Sequence, residues 1–182
     1  MMDGQDSNWY AIRARRDFMA ETVLAAECEE VFFPKKRVLT PSGTIRTRAI
    51  IPHVLFIKTT RMHALELERK SRKMTDQLVP FWIYRYVKGE DIQIIRREQI
   101  NLIRLLTAND TTRCEIFNKK DFKKGETVRI AGGMYEGYMG VVQRVHKNKH
   151  VVVEIQGISM IMLPFIHPDL LAPVDDSMRA EI

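Results

Sequence analysis

The residues of this chain that could support catalysis or metal binding are few and poorly spaced for either task. The glycine-rich run 132–137 lacks the Lys-Ser/Thr pair of a phosphate-binding loop and leads into a β-rich stretch, not a helix. His146 and His150 flank a predicted turn, but no third ligand follows at metal-binding spacing. Cys28 falls on the apolar face of a predicted helix. We therefore expect no enzyme, no cofactor and no metal site.

The basic residues show a stronger pattern. Residues 1–106 hold 19 Lys and Arg against 13 Asp and Glu, so the net charge of +6 originates in this part of the chain. Such an asymmetry is typical of proteins that bind polyanions, although each cluster is also compatible with an ordinary solvated face. The candidate nucleic-acid-binding residues are Arg15, Arg16, Lys35, Lys36, Arg37, Arg46 and Arg48.

Length and composition set the limits for the fold. With 182 residues, of which 45% are apolar and 29% charged, the chain is long enough for two modest domains. No stretch approaches the ~18 consecutive apolar residues of a membrane span, and residues 1–8 are polar, unlike a signal peptide. Cys28 and Cys114 lie far apart and are predicted to be unpaired thiols. These features favour a cytoplasmic protein without membrane contact.

The elements predicted for the first part of the chain form an antiparallel α/β sandwich. A strand at residues 8–13 precedes a helix, and two basic β-rich runs flank the turn signal Pro41-Ser42-Gly43, which predicts a hairpin. Further strands at 54–59 and 81–87 alternate with helices at 62–74 and 97–106. This order predicts an α+β domain of residues 8–106 with an RRM-like layout, without the stacking aromatics of that fold.

A second domain is predicted after a linker. Residues 107–121 are polar and show neither the helical nor the strand periodicity of apolar residues, which is typical of a linker. Residues 122–174 consist of short β-rich pieces separated by turn signals, the pattern of a small SH3-like β-barrel. Residues 122–142, FKKGETVRIAGGMYEGYMGVV, resemble the KOW motif. In this motif, glycines allow turn dihedrals and close backbone approach, and an aromatic residue covers the barrel end. The residues concerned are Gly133, Tyr135, Gly137 and Gly140.

Residues 8–174 together resemble the NusG family of transcription elongation factors, in which such an N-terminal domain precedes one KOW domain. The resemblance rests on Trp9-Tyr10, the basic hairpin and the run Ile51-Pro52-His53-Val54-Leu55-Phe56. It implies a first domain that binds the clamp helices, a coiled coil on the largest RNA polymerase subunit, through an apolar depression. The positions matching that depression are Ile51, Val54 and Phe56, with Trp9 and Ile83 as neighbours.

Ile51, His53 and Val54 stand where the general factor usually has an aromatic, a glycine and another aromatic. This departure suggests a specialised paralogue of the RfaH or UpxY type, which reduces pausing or termination. The resemblance further implies that Arg15 and Arg16 contact non-template or upstream DNA of the elongation complex. It also implies a ribosomal protein or a termination factor as the partner of the KOW domain.

Two alternatives remain at this stage. The apolar run 51–57 is also the pattern of a buried strand, which would need no partner. The KOW motif alone would equally suit an RNA-binding protein of the ribosome or its assembly, which requires no apolar docking face. Co-purification with core RNA polymerase distinguishes these functions.

Overall fold

The computed structural model describes residues 6–73, 78–86, 91–108, 115–117, 125, 127–145, 148–155, 157–163, 166 and 171–174. Within these ranges, three helices and several antiparallel sheets form a mixed α+β structure, so the predicted fold class is confirmed at this level. The chain divides into two compact units, residues 1–107 and 108–182. None of the helices in the described ranges is long and apolar enough to cross a membrane.

The first unit is built on a five-stranded antiparallel sheet with β1 (Ser7–Ala14) at its centre. One edge of β1 pairs along its length with β5 (Val54–Thr60), whose other edge pairs with β2 (Glu30–Phe32). The opposite edge of β1 pairs with β6 (Phe81–Ile83) and β7 (Ile94–Ile95). Because β1 and β5 lie in the interior of the sheet, their side chains are buried on both faces over most of their length.

Two helices cover one face of this sheet. The core there contains Tyr10 and Ile12 of β1 and Leu55 of β5, packed with residues of α1 (Asp17–Leu24) and α2 (Arg61–Arg72). The start of α2 is fixed by Thr60, whose hydroxyl accepts a hydrogen bond from the backbone N–H of His63 at 3.3 Å. The helices contribute Ala20, Leu24, Ala64 and Leu67 to this core.

The opposite face carries Trp9, Ala11 and Phe56 and is called the tryptophan face below, because side chains alternate between faces along a strand. One end of this face is covered by α3 (Arg97–Ala108), whose Arg104 guanidinium lies 5.4 Å from the ring centroid of Trp9. The same guanidinium lies 5.3 Å from the ring of Phe32, which stacks on Phe56. These cation–π contacts hold α3 against the Trp9 end of the sheet.

The predicted basic hairpin is confirmed as a separate two-stranded sheet of β3 (Lys35–Leu39) and β4 (Ile45–Ala49). Its turn is closed by backbone hydrogen bonds from Thr40 to Thr44 at 2.8 Å and from Gly43 to Thr40 at 2.9 Å. Gly43 has a φ of 79°, which glycine adopts without steric cost. The turn chemistry that the sequence shows therefore fixes this hairpin locally.

The second unit is a six-stranded antiparallel sheet. Its strands, in order across the sheet, are β13 (Leu171–Pro173), β9 (Thr127–Ile130), β10 (Met139–Val145), β11 (Asn148–Ile155), β12 (Ser159–Met162) and β8 (Glu115–Phe117). Among the described strands, the pairing runs from β13 to β8 and does not close into the predicted barrel. Strand β8 lies within residues 107–121, for which the sequence predicts a linker, and it pairs with β12.

The residues of the KOW-like turn join β9 to β10. Gly133 and Gly137 have φ values of 84° and 87°, and Tyr135 is buried between them. Gly140 is required for a different reason, since a Cβ at this position would lie 2.7 Å from both the carbonyl oxygen of Val152 and a methyl carbon of Val151. The turn therefore needs glycine for its dihedrals, and β10 needs it for close approach to β11.

Glu68 is a buried carboxylate that joins α2 to β6. It accepts hydrogen bonds from the backbone N–H of Ile83 at 2.9 Å, from Arg85 at 2.7 Å and from Arg72 at 3.0 Å. Burial acts to raise the pKa of Glu68, but the hydrogen bonds from Arg85 and Ile83 outweigh it and hold the pKa below its ordinary value. The charged carboxylate therefore stabilises the contact between helix and sheet.

We expect Glu68→Gln to lower the free energy of unfolding by about 1–3 kcal/mol at neutral pH, because it weakens charge-assisted hydrogen bonds at a buried site. A carboxyl whose pKa is lower in the folded state stabilises the protein above its unfolded-state pKa and loses this effect as the pH falls through the folded-state pKa. The difference between variant and parent should therefore shrink below a pH of about 4.5. Urea unfolding at each pH, monitored by tryptophan fluorescence, measures this difference in the free energy of unfolding.

Glu66→Gln is the matched control. Glu66 lies on the same helix but is exposed, and it pairs only with Lys70 in the described part of the chain. Its replacement should therefore change the free energy of unfolding little, both at neutral pH and at acidic pH. Equal losses of stability in the two variants would assign the effect to the charge of α2 and not to the contact with β6.

Candidate functional site

The structure places the five residues of the predicted apolar depression inside the first unit. Each of them is at most 7% exposed: Trp9, Ile51, Val54, Phe56 and Ile83. Trp9, Val54 and Phe56 are buried because β1 and β5 are central strands whose side chains pack on both faces of the sheet. The alternative of a buried strand therefore describes the 54–57 run, and any surface offered to a partner must come from neighbouring side chains.

Strand register also divides this set between the two faces of the sheet. Ile12 pairs with Ile83, and both belong to the core under α1 and α2. Arg13 pairs with Trp82 on one side and with Val54 on the other, which places these three side chains on the tryptophan face. Ile83 therefore lies on the opposite face of the sheet from Trp9, Val54 and Phe56, because adjacent residues of a strand point to opposite faces.

The uncovered end of the tryptophan face forms a pocket of about 440 Å³. Its lining residues come from the end of β1 (Arg13), the loop that follows (Arg15), the turn before β5 (His53) and β6 (Trp82). Trp82 is 46% exposed, a large fraction for a tryptophan. The pocket therefore combines an accessible aromatic ring with two exposed guanidinium groups.

His53 adopts an unusual backbone conformation that sets its side chain at this pocket. Its φ is 65°, in the left-handed region that non-glycine residues seldom occupy. The carbonyl of His53 accepts a hydrogen bond from the backbone N–H of Ala14 at 2.9 Å, and its ring Nδ1 lies 3.5 Å from a carboxylate oxygen of Asp17. The backbone of His53 is thus tied to the end of β1, and its ring faces the first residue of α1.

The electrostatics of the pocket favour an anionic partner. Arg13 and Arg15 take part in none of the ion pairs within the described residues, and the guanidinium charge is permanent at physiological pH. An exposed tryptophan beside arginines is the composition of energetic hot spots at interfaces, since both side chains bury large areas and hydrogen-bond directionally. The arrangement suits a carboxylate or phosphate next to an apolar or aromatic group.

The other predicted basic residues fall into two groups. Lys35 is engaged within the fold: its ammonium contacts the carboxylate of Glu21 at 2.5 Å and lies over the rings of Phe18 and Phe33. This contact makes it a structural residue that links the hairpin to α1. Those with no ion pair in the described ranges are Arg16, Lys36, Arg37, Arg46 and Arg48.

The described residues contain no group of three or more His, Cys, Asp and Glu side chains arranged to hold a metal ion. Burial raises the pKa of the Cys28 thiol to about 11, so this thiol stays protonated and poorly nucleophilic at neutral pH. His146 and Cys114 lie outside the described residues.

Sequence reasoning missed Arg13, His53 and Trp82 as members of one site. A signal was present in β1, where Arg13 interrupts the apolar run that begins at Trp9. A charged residue at such a position must reach solvent at an uncovered part of the sheet. The pairing of Arg13 with Trp82, which depends on the register of distant segments, could not be read from the spacing.

Comparisons with known proteins give no identification. No protein-family model matches this chain, and no curated protein matches it.

The two tryptophans of the chain provide a direct check of the pocket. We expect Trp9→Phe to leave a tryptophan, Trp82, whose emission is red-shifted and strongly quenched by acrylamide, because its ring is accessible to water. In Trp82→Phe, the remaining Trp9 should emit at shorter wavelength and be shielded. Equal quenching of the two variants, with unchanged circular dichroism, would contradict the assignment of an open and a covered end.

Proposed function

We propose that this chain is a NusG-type transcription elongation or antitermination factor that binds RNA polymerase and reduces pausing or termination. One observation carries the proposal: the open end of the tryptophan face, next to the positions that the resemblance assigns to polymerase docking, presents Trp82 in one pocket with two exposed arginines. The KOW-like turn, with its requirements for glycine, supports it from the second unit.

In this proposal, the pocket docks on the clamp helices of the largest polymerase subunit. Trp82 supplies the apolar contact, and Val54, on the other side of Arg13 on the same face, belongs to the packed core. Arg13 and Arg15 form charge-assisted hydrogen bonds to acidic side chains of the coiled coil. The docking surface is therefore aromatic and cationic, in contrast to the wholly apolar depression expected from the sequence.

The mechanism would be a shift of populations. A bound factor favours the closed clamp only if it binds that state more tightly than the open one, so docking must bridge parts of the polymerase that meet on closure. Catalysis stays with the polymerase. Arg16 lies exposed at the start of α1, near the docking pocket in sequence, and is proposed to contact DNA of the elongation complex.

We further propose that the second unit is an SH3-like KOW domain that recruits a ribosomal protein or a termination factor. Its antiparallel sheet and its KOW-like turn support this assignment. Cytoplasmic localisation follows from the same function. The alternative function, RNA binding in the ribosome or its assembly, would require no polymerase contact by the first unit.

The test is the affinity of the full chain for core RNA polymerase. We expect Trp82→Ala to weaken binding at least tenfold, about 1.4 kcal/mol or more, as for a central aromatic residue of an interface. Met62→Ala is the matched control, since Met62 is exposed on α2 at the other face of the sheet and should leave binding unchanged. Thermal unfolding must first show that both variants are folded.

Unchanged binding by folded Trp82→Ala would contradict the docking pocket. Binding to ribosomes in place of polymerase would support the alternative function. A change at Val54 is unsuitable for this test, because a charge at this buried position would unfold the unit instead of probing its surface.

A further inference from the structure

The β3–β4 hairpin has two chemically different faces. In its antiparallel register, Lys36 pairs with Arg48 and Val38 pairs with Arg46. Residues paired across the ribbon, and those two apart along it, share a face. One face, called the cationic face below, therefore carries Lys36, Val38, Arg46 and Arg48, and the other carries Lys35, Arg37, Ile45, Thr47 and Ala49.

The cationic face concentrates charge that the protein itself does not neutralise. Lys36 and Arg48 stand directly opposite each other, a like-charge pairing that destabilises a ribbon. Within the described residues, none of Lys36, Arg46 and Arg48 has an ion-pair partner, whereas Lys35 on the opposite face is paired with Glu21. Three cations on one face of a ribbon about 17 Å long match a row of phosphates.

The form of the ribbon distinguishes between nucleic acids. Residues 35–49 contain no aromatic side chain on which unpaired bases could stack. The ribbon therefore lacks the stacking contacts by which proteins bind single-stranded nucleic acids. The major groove of A-form RNA is too narrow for side chains to read, whereas that of B-form DNA admits a two-stranded β-ribbon. Double-stranded DNA is the polyanion that fits.

The tip of the ribbon is also suited to a groove. Thr40, Ser42 and Thr44 form a chain of hydroxyl contacts at 2.8 and 3.0 Å, which holds three short polar side chains at the turn. Hydroxyl groups donate and accept hydrogen bonds with base edges and phosphates alike. The tip therefore presents polar groups of small size where a ribbon would enter.

We propose that the β3–β4 ribbon binds double-stranded B-form DNA, with Lys36, Arg46 and Arg48 contacting phosphates and the polar tip entering the major groove. This binding goes beyond the polymerase contact and requires no polymerase.

The experiment measures the binding of the full chain to a fluorescent DNA duplex of about 20 bp, roughly two helical turns. We expect the triple variant Lys36→Gln, Arg46→Gln, Arg48→Gln to bind at least tenfold more weakly than the parent. The slope of log affinity against log salt should fall by roughly 0.9 for each phosphate that the variant no longer neutralises. The thermal midpoint should stay the same or rise, because a like-charge pair is removed.

Two controls make the result specific. The triple variant Arg69→Gln, Lys73→Gln, Arg97→Gln removes the same charge from exposed positions outside the ribbon and should keep most of the affinity. Arg37→Gln, on the other face of the ribbon, should have a small effect. Equal losses of affinity in both triple variants would overturn the proposal in favour of net charge alone.

The choice of ligand is tested with the single-stranded DNA and the double-stranded RNA of the same sequence. Tighter binding of the DNA duplex is expected, and equal or tighter binding of either competitor would overturn the proposal. Trp82→Ala should bind the duplex as the parent does. Loss of polymerase binding without loss of DNA binding, or the reverse, therefore separates the failure of one proposal from that of the other.

Discussion

The first unit depends on one physical constraint. The two adjacent central strands β1 and β5 carry apolar side chains on both faces of the sheet, so both faces must be covered by other parts of the chain. On one face, α1 and α2 supply that cover with small and aliphatic side chains. On the tryptophan face, α3 covers the Trp9 end by placing Arg104 against two aromatic rings. The far end has no helix among the described residues, and there the strands carry Arg13 and Trp82 in place of aliphatic side chains.

The lack of a covering helix, among the described residues, at this end of the tryptophan face explains why the pocket is lined by arginine and tryptophan side chains. An aliphatic residue at position 13 would leave an apolar surface in water, whereas an arginine can pack its stem on the sheet and keep its charge solvated. Trp82 can likewise remain half exposed, because a tryptophan combines a large apolar ring with a polar N–H group. The same residues that make the open end compatible with water make it suitable for an anionic, partly apolar partner.

Features that depend on neighbouring residues were predictable from the sequence. The hairpin of β3 and β4 follows from its turn residues, and the α+β class follows from the order of periodic segments. Features that depend on distant pairing were not. The face to which Ile83 points is decided by its register with Ile12, and the strand Glu115–Phe117 exists through its pairing with β12, although its own segment has the composition of a linker.

Ion pairs were likewise not predictable from neighbouring residues, because the partner of a charged side chain is decided by the folded chain. Lys35 and Lys36 are adjacent and identical in type, yet Lys35 contacts Glu21 and two aromatic rings while Lys36 shares its face of the ribbon with other cations. A basic cluster in a sequence therefore shows that charge is present, and the strand register shows which part of it is available to a partner.

Gly140 has a consequence for how the second unit reaches its structure. It lies where β9, β10 and β11 run side by side, paired with Val128 and touching the backbone of β11 too closely for any Cβ. A shift of β10 by one residue would bring Met139 or Val141 to this point, and either side chain would collide with β11. The absence of a side chain at this position thus selects the strand register during folding. A register shifted by one residue places a side chain against the backbone of β11, whereas the native register lets β9, β10 and β11 pack side by side.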